Sequence, residues 1–194
     1  MAAYLCADLH LGHRAIGKYR KFADPETGEL RNFNDSEEHD NYVEKLWLEM
    51  KLKTRRDTVY ILGDVSFTTE GWDRLDSWPG RKVIILGNHC TERTTIQKIA
   101  NLKTVNSVHS MLKYGRYWLT HAPLHPHELR GKRNIHGHMH ADYIRDRRYM
   151  CVSLEHTQMR PKHFGEIEEE FKRRQSLIHV HDTLGFKAAV RALL

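Results

Sequence analysis

The stretch Thr58-Val59-Tyr60-Ile61-Leu62-Gly63-Asp64 constrains this chain most. Five residues dominated by β-branched and aromatic side chains predict a buried strand. A glycine and an aspartate follow at its C-terminal end, the edge where open α/β sheets place ligand sites. The pattern returns 24 residues on, in Lys82-Val83-Ile84-Ile85-Leu86-Gly87-Asn88-His89. Two buried strands, each ending in glycine and a side chain able to hold a metal or a phosphate, predict one shared site.

Other strand ends add to it. Ala2 to Ala7 reads as a first strand, and Asp8-Leu9-His10 leaves its end. A spacing of two puts both polar side chains on one side of an extended segment. Alone, these two would be a helix cap and a surface histidine. Val105–Tyr114 and Tyr117–Thr120 read as two strands joined by a turn at Gly115, the second delivering His121. The short strand Asn134-Ile135 leads to Gly137-His138-Met139-His140, again two histidines two apart. Arg148–Leu154 reads as a further strand.

Between these strands lie helices. Val43, Leu46, Trp47 and Met50 have the spacing of a buried helix face. Asn34 or Asp35 caps that helix, with Glu37 or Glu38 as the capping-box partner. Trp72, Leu75 and Trp78 mark a second helix ending before Pro79-Gly80. Ile96, Ile99 and Ala100 mark a third that stops at Asn101. Glu166–Ser176 reads as a charged surface helix with a solvated face. Leu177–His181 reads as tail or edge strand, and residues 184–194 as a terminal helix.

A length of 194 residues fits one domain spanning 1–194. A net charge of +6 suits an anionic partner such as a nucleotide, a nucleic acid or a phosphoester, and equally an ordinary basic surface. The 3 cysteines are an odd count, which argues against a disulfide framework and for a reduced, cytoplasmic setting. No apolar run reaches the roughly 18 residues of a membrane span. No leader-like segment opens the chain, so no membrane partner is expected.

Collected in order, the strand ends offer Asp8-x-His10, Gly63-Asp64, Gly87-Asn88-His89, His121 and Gly137-His138-x-His140. Mixed oxygen and nitrogen donors suit Mn²⁺, Fe, Zn²⁺ or Ni²⁺ better than Ca²⁺ or a sulfur-bound structural zinc. The set exceeds what one four-coordinate ion needs. Two metals sharing a carboxylate would use it. Such a pair, about 3.5–4 Å apart, can acidify a bound water and clamp a phosphoryl group.

These five motifs, in this order from about Ala2 to Leu154, resemble those of the calcineurin-like metallophosphoesterases. Asp8-x-His10-x-Gly12-His13 is similar to the small capless members found in bacteria and phages. The resemblance implies an α/β fold, a four-layer α-β-β-α sandwich of two mixed β-sheets flanked by helices. It implies two divalent metal ions, manganese foremost, with iron, zinc or nickel as alternatives. Asp8, His10, Asp64 and His140 would hold one ion. Asp64, Asn88, His121 and His138 would hold the other, with Asp64 bridging. Asn88 would also reach a phosphate oxygen, and His89 would face the leaving group. Two departures stand out. Cys90 occupies a position that is often acidic in the family, and Phe67 one that is aspartate in some members. They leave His89 without an evident carboxylate partner.

The expected function is a phosphodiesterase on nucleotides or nucleic acid, using a metal-activated hydroxide. The alternatives are a phosphomonoesterase and a non-catalytic metal-stabilised scaffold. A scaffold needs no open coordination position, so retention of every ligand-type residue speaks against it. His13 is an expected substrate contact. So are Arg130 and Arg133, at the basic end of the loop that starts at His121. Lys18-Tyr19-Arg20-Lys21-Phe22 reads as a solvated loop, though such a mixture could track a phosphate backbone and stack a base.

Overall fold

The alternation of apolar side chains along the strands decides how the chain layers. The computed structural model describes residues 1–23, 27–53 and 56–184. In chain order they form β1 (Ala3–Cys6), α1 (Ile16–Tyr19), β2 (Lys21–Ala23), β3 (Leu30–Asn32), α2 (Ser36–Glu49), β4 (Thr58–Leu62), α3 (Thr69–Ser77) and β5 (Arg81–Ile85). There follow α4 (Ile96–Ala100), β6 (Val105–His109), β7 (Met111–Tyr114), β8 (Tyr117–Thr120), β9 (Arg133–His136), β10 (Tyr149–Cys151), β11 (Lys162–His163) and α5 (Phe164–Leu184). Two sheets result, of order β11-β1-β4-β5-β6 and β10-β9-β8-β7, and β2 pairs with β3 as a separate hairpin. Both sheets are mixed. β11 runs antiparallel to β1 in the first, and β7 antiparallel to β8 in the second. The protein is therefore a mixed α/β structure.

The five-stranded sheet is buried on both faces. Cys6, Val59, Ile61 and Ile84 point into one core with Val43 and Trp47 of α2, Trp72 and Leu75 of α3 and Ile99 of α4. Leu5, Ala7, Leu62, Val83 and Ile85 point the other way, into a core shared with Tyr117, Leu119, Ile135 and Met150 of the four-stranded sheet. Each such side chain contributes about 1.5–3 kcal/mol by leaving water. A one-residue slip of register would exchange the two sets, so register is firmly specified.

Local chemistry holds α2 in place. Asp35 caps it by accepting the Glu38 N–H at 2.8 Å, and Glu38 accepts the Asn34 N–H at 2.7 Å. Trp47 Nε1–H donates to the Pro79 carbonyl at 3.0 Å, and Trp78 Nε1–H to Glu44 at 2.8 Å. Among the described residues, no helix is long and apolar enough to cross a membrane.

Four expectations need correction. The single strand over Val105–Tyr114 is two strands in different sheets, broken at Ser110. The strand over Arg148–Leu154 ends at Cys151, because Ser153 leaves it to bridge Ala7 of the first sheet. The helix after Pro161 is not merely a charged surface helix: Ile167 and Phe171, four residues apart, enter the core between the sheets. Leu177–His181 continues that helix instead of forming a tail or strand. Beyond Leu184, the expected terminal helix lies outside the described residues.

Lys82 lies wholly buried at the start of β5, and its ammonium donates to Thr104 Oγ1 at 3.0 Å and to the Trp78 carbonyl. Burial lowers its pKa from 10.5 to about 8, against the attraction of Asp76. An amine with a depressed folded pKa destabilises the fold while it stays charged, below about pH 8. That penalty fades as pH rises toward 10.5. The unfolding free energy of wild type relative to Lys82→Met should therefore rise by about 2 kcal/mol between pH 7 and pH 10. A difference that stays flat across that range would contradict the buried, charged amine.

Candidate metal centre

Every expected ligand follows the C-terminal end of a strand. Asp8 and His10 follow β1, Asp64 follows β4, Asn88 and His89 follow β5, His121 follows β8, and His138 and His140 follow β9. β1, β4 and β5 are parallel, as are β8 and β9, so within each sheet these ends share one edge. The two edges are fastened together. Ala7 bridges Ser153, His121 Nδ1–H donates to the Leu62 carbonyl at 2.9 Å, and the His138 N–H donates to Asp8 Oδ2 at 2.9 Å.

The backbone there is strained. Asp8, His10, Asp64, His138 and His140 all have positive φ, between 47° and 69°. Non-glycine residues adopt this region uncommonly, and such residues cluster at functional sites. Two glycines give the side chains room. A β-carbon on Gly63 would lie 2.2 Å from His121 Nδ1, and one on Gly87 would lie 2.2 Å from Asp64 Oδ1.

Two groups of metal-competent atoms result. Asp8, His10 and His140 form one and Asp64, His121 and His138 the other, each with its ligand atoms within 4.8 Å of one another. Asp64 joins them: its Oδ2 lies 3.3 Å from His121 Nε2 and 3.8 Å from His10 Nε2. Asn88 Oδ1 lies 2.9 Å from His121 Nε2.

The donor set fits cations. In four residues one polar atom is fixed by the protein, leaving the other for a ligand. Asp8 Oδ2 accepts from Ser153 Oγ at 2.6 Å, and Asp64 Oδ1 accepts the His89 N–H at 2.9 Å. His121 Nδ1 is engaged by Leu62, and His140 Nδ1 by Glu155 at 3.2 Å. Such outer partners are what orient metal-ligating histidines. Asp8 Oδ1 and His10 Nε2 are buried without any hydrogen-bond partner, and buried orphan atoms cost about 1–3 kcal/mol each. Because His121 Nδ1 carries the proton, its Nε2 turns a lone pair toward the oxygens of Asp64 and Asn88. A second proton, a cation, or the His138 Nδ1–H, 3.1 Å away, would offset that repulsion.

The ionisation of His10 and the two aspartates agrees. Burial pulls His10 down to about 4, so its ring stays neutral and able to ligate. Burial would raise the Asp64 carboxyl, but the hydrogen bond and charge of His121 hold it down at about 2. Burial would likewise raise Asp8, yet the His10 ring 3.8 Å away and the hydrogen bond from Ser153 leave it below the usual carboxylate value. His140 and His121 go the other way: the Glu155 hydrogen bond raises His140, and Asp64 raises His121 against burial, so a cation at either ring would compete with a second proton.

His89 does have a carboxylate partner. Its Nδ1 lies 2.5 Å from Glu92 Oε1. The sequence reading considered positions 67 and 90 and missed a residue one turn further on. Cys90 is buried, and its Sγ accepts the Gly87 N–H at 3.3 Å, so it shapes the loop from the core side. Phe67 forms a wall, its ring centroid 5.1 Å from His10, 4.6 Å from His13 and 4.8 Å from His89. His13 stands 5.8 Å from His10 with a buried, unpartnered Nδ1.

Arg130 and Arg133 are not brought to this edge. Arg133 opens β9 at its far end, over the ring of Phe171 at 5.0 Å. At about 3.3 Å per residue it stands roughly 10 Å from His136 along the strand. Arg130 is exposed and pairs with Glu128 at 3.4 Å. The loop from His121 must return to the start of β9, which carries its basic end away from the ligands.

A buried network behind the ligands escaped the sequence reading. Arg20 is 1% exposed. It donates to Glu155 Oε1 at 2.9 Å, to the Asp8 carbonyl at 2.7 Å and to His39 Nε2 at 2.9 Å. Since arginine only donates, His39 carries its proton on Nδ1, which donates to Asp40 at 2.8 Å. Asp40 in turn accepts the Gly12 N–H at 2.8 Å. Arg20 thus clamps the Asp8-Leu9-His10 turn, while Glu155 orients His140. One signal was available: Glu155 directly follows the predicted strand Arg148–Leu154, as the other motifs follow theirs.

No family model matches the chain. It is 40% identical over 91 residues to "Gene 66 protein" of Mycobacterium phage L5, covering 44% of this chain and 38% of that protein. It is 36% identical over 93 residues to the protein of the same description in Mycobacterium phage D29, covering 44% and 39%. The chain thus spans about two fifths of the length of the curated relatives it matches. Its fold is similar to the crystal structure of a protein of unknown function from Aquifex aeolicus, with a TM-score of 0.60, 21% identity and coverage of 87% of this chain and 98% of that one.

Glu155→Ala should weaken divalent-ion binding about 10- to 100-fold, the typical effect of removing such an orienting partner. Glu155→Gln keeps an acceptor for His140 and should lose less. Calorimetric titration with Mn²⁺ on folded variants checks this. Equal affinity in wild type and Glu155→Ala would remove Glu155 from the site.

Proposed function

We propose that this chain is a binuclear metal-dependent phosphoesterase, acting as a phosphodiesterase on nucleotides or nucleic acid. The observation that carries the reading is Asp64 Oδ2, which faces His121 of one ligand group and His10 of the other. Asp8, His10, Asp64 and His140 would hold one ion, and Asp64, Asn88, His121 and His138 the other. Bound there, the ions would polarise the phosphoryl oxygens and acidify a water. The chain reads as one domain in a four-layer α-β-β-α sandwich, working in the cytoplasm. The apolar cores on the two faces of the five-stranded sheet support that layering.

The protein's own groups supply the rest. Asn88 Oδ1 faces His121, which leaves its amide N–H₂ to donate to a phosphate oxygen. His89 Nδ1 is held by Glu92, which leaves Nε2 to pass a proton to the departing oxygen. His13 and Phe67 wall the same side and limit water.

One observation favours a diester over a monoester. Near neutral pH a monoester carries close to two negative charges and a diester one. Among the described residues, the one arginine or lysine hydrogen-bonded to the ligand turns is Arg20, whose guanidinium is already taken by Glu155, His39 and two carbonyls. No other arginine or lysine among the described residues is hydrogen-bonded to those turns.

With Mn²⁺, a bis-aryl phosphate should therefore turn over faster than a mono-aryl phosphate. An aryl oxide departs without a proton, whereas a sugar alkoxide needs general-acid help, typically worth about 10²–10⁴-fold. His89→Ala should damage nucleotide-ester turnover by that order and aryl-ester turnover far less. Turnover of neither aryl ester with Mn²⁺, Fe²⁺, Zn²⁺ or Ni²⁺ would contradict the enzyme reading. Equal losses on both ester classes would remove the leaving-group role of His89.

A further inference from the structure

One proposed ligand, His140, lines a cleft of about 920 Å³. Glu155 lies beside it in the lining, which residues of β2, β3, α2 and the segment around Arg160 complete. We propose that this cleft binds single-stranded nucleic acid and leads one of its phosphodiesters to the ligand groups. The proposal rests on the phosphoesterase reading and names its substrate class.

Three features support it. First, the cleft is continuous with the site: the His140 side chain, 43% exposed, belongs to both. Second, its charge suits a polyanion. Lys21, Lys45 and Arg160 line it from three separate elements, and none of them is in an ion pair with a described residue. Of the two lining carboxylates, Glu155 is neutralised by Arg20, which leaves Glu49 alone against three cations. Third, the rim offers a free aromatic face. Tyr19 and Leu30, both lining the cleft, are 77% and 73% exposed. The Tyr19 ring stands 6.1 Å from His13, which stands 5.8 Å from His10. Tyr19 thus links the cleft lining, through His13, to the ligand group.

Cations that follow a backbone, with aromatic faces on which bases stack, are how single strands are held without sequence preference. A duplex would meet the cations, but its stacked base pairs offer Tyr19 no face. An acidic peptide would also leave that ring unused.

Binding is best measured apart from turnover, by fluorescence anisotropy of a labelled single strand of about ten nucleotides with chelator present. Three phosphate contacts predict a slope of about −2 for log K against log salt, at about −0.7 per contact. Replacing Lys21, Lys45 and Arg160 together with alanine should lower affinity at least tenfold and flatten the slope. Tyr19→Ala should lower affinity roughly 5- to 150-fold, the range for loss of one stacked base. Removing equal charge from the exposed Lys113, Arg116 and Arg147 should leave both quantities near wild type and so controls for overall charge. DNA and RNA strands are run in parallel to tell which sugar is preferred.

The proposal is overturned if the cleft triple variant binds like wild type, if both triple variants lose equally, or if a duplex or an acidic peptide competes as well as the strand. Strand binding through the cleft without any ester turnover would keep the cleft and refute the enzyme reading. Aryl-ester turnover with cleft-independent strand binding would refute the cleft alone.

Discussion

The site depends on one carboxylate oxygen. Asp64 Oδ2 stands between His121 and His10, at 3.3 and 3.8 Å, where the edges of two sheets meet. His121 comes from the four-stranded sheet, while Asp64 and His10 come from the five-stranded one. The shared core positions this oxygen: Leu62 and Leu119, each two residues before a ligand, lie in it together. Packing energy along the strands is thus spent holding charged and polar groups together at their ends.

That edge is costly in isolation. Five non-glycine residues in the left-handed region, the unpartnered Asp8 Oδ1, His10 Nε2 and His13 Nδ1, and crowded imidazoles all work against folding. The surroundings over-determine them. Ser153 and the His138 N–H fix Asp8, the His89 N–H fixes Asp64, and Glu155 fixes His140. Arg20 ties the first turn to Glu155, and His39 and Asp40 hold Arg20 from behind. A buried charge held on so many sides is stabilising only while its partners remain. The pattern is that of local strain held by a satisfied polar frame, which is the signature of a functional site.

The sequence made the strand ends legible because two physical signals coincide there. Runs such as Val59–Leu62 mark buried strands by composition, and Gly63-Asp64 or Gly87-Asn88-His89 then interrupts them with polar groups that have no place in a core. What local pattern could not convey was partnership across distance. Arg20 sits in a run of bases and aromatics that reads as solvent-facing, yet Leu9, His39 and Glu155 bury it. Arg133 reads as near the site because it ends the loop that starts at His121, yet strand geometry puts it at the far end of β9. Glu92 carries no sequence signature as a partner of His89: it lies three residues on in a loop, and only the turn of that loop brings the two together. The break at Ser110 has the same origin, since an apolar run does not announce which of two sheets each half joins.

The central claim is that Asp64 is shared by two ions, and metal stoichiometry tests it most directly. Elemental analysis of Mn²⁺-reconstituted protein after exhaustive dialysis should give about two ions per chain, the number expected of a carboxylate-bridged pair. Asp64→Ala, shown to be folded by circular dichroism, should retain neither ion. Two ions retained by Asp64→Ala, or a single ion bound by wild type, would contradict the account.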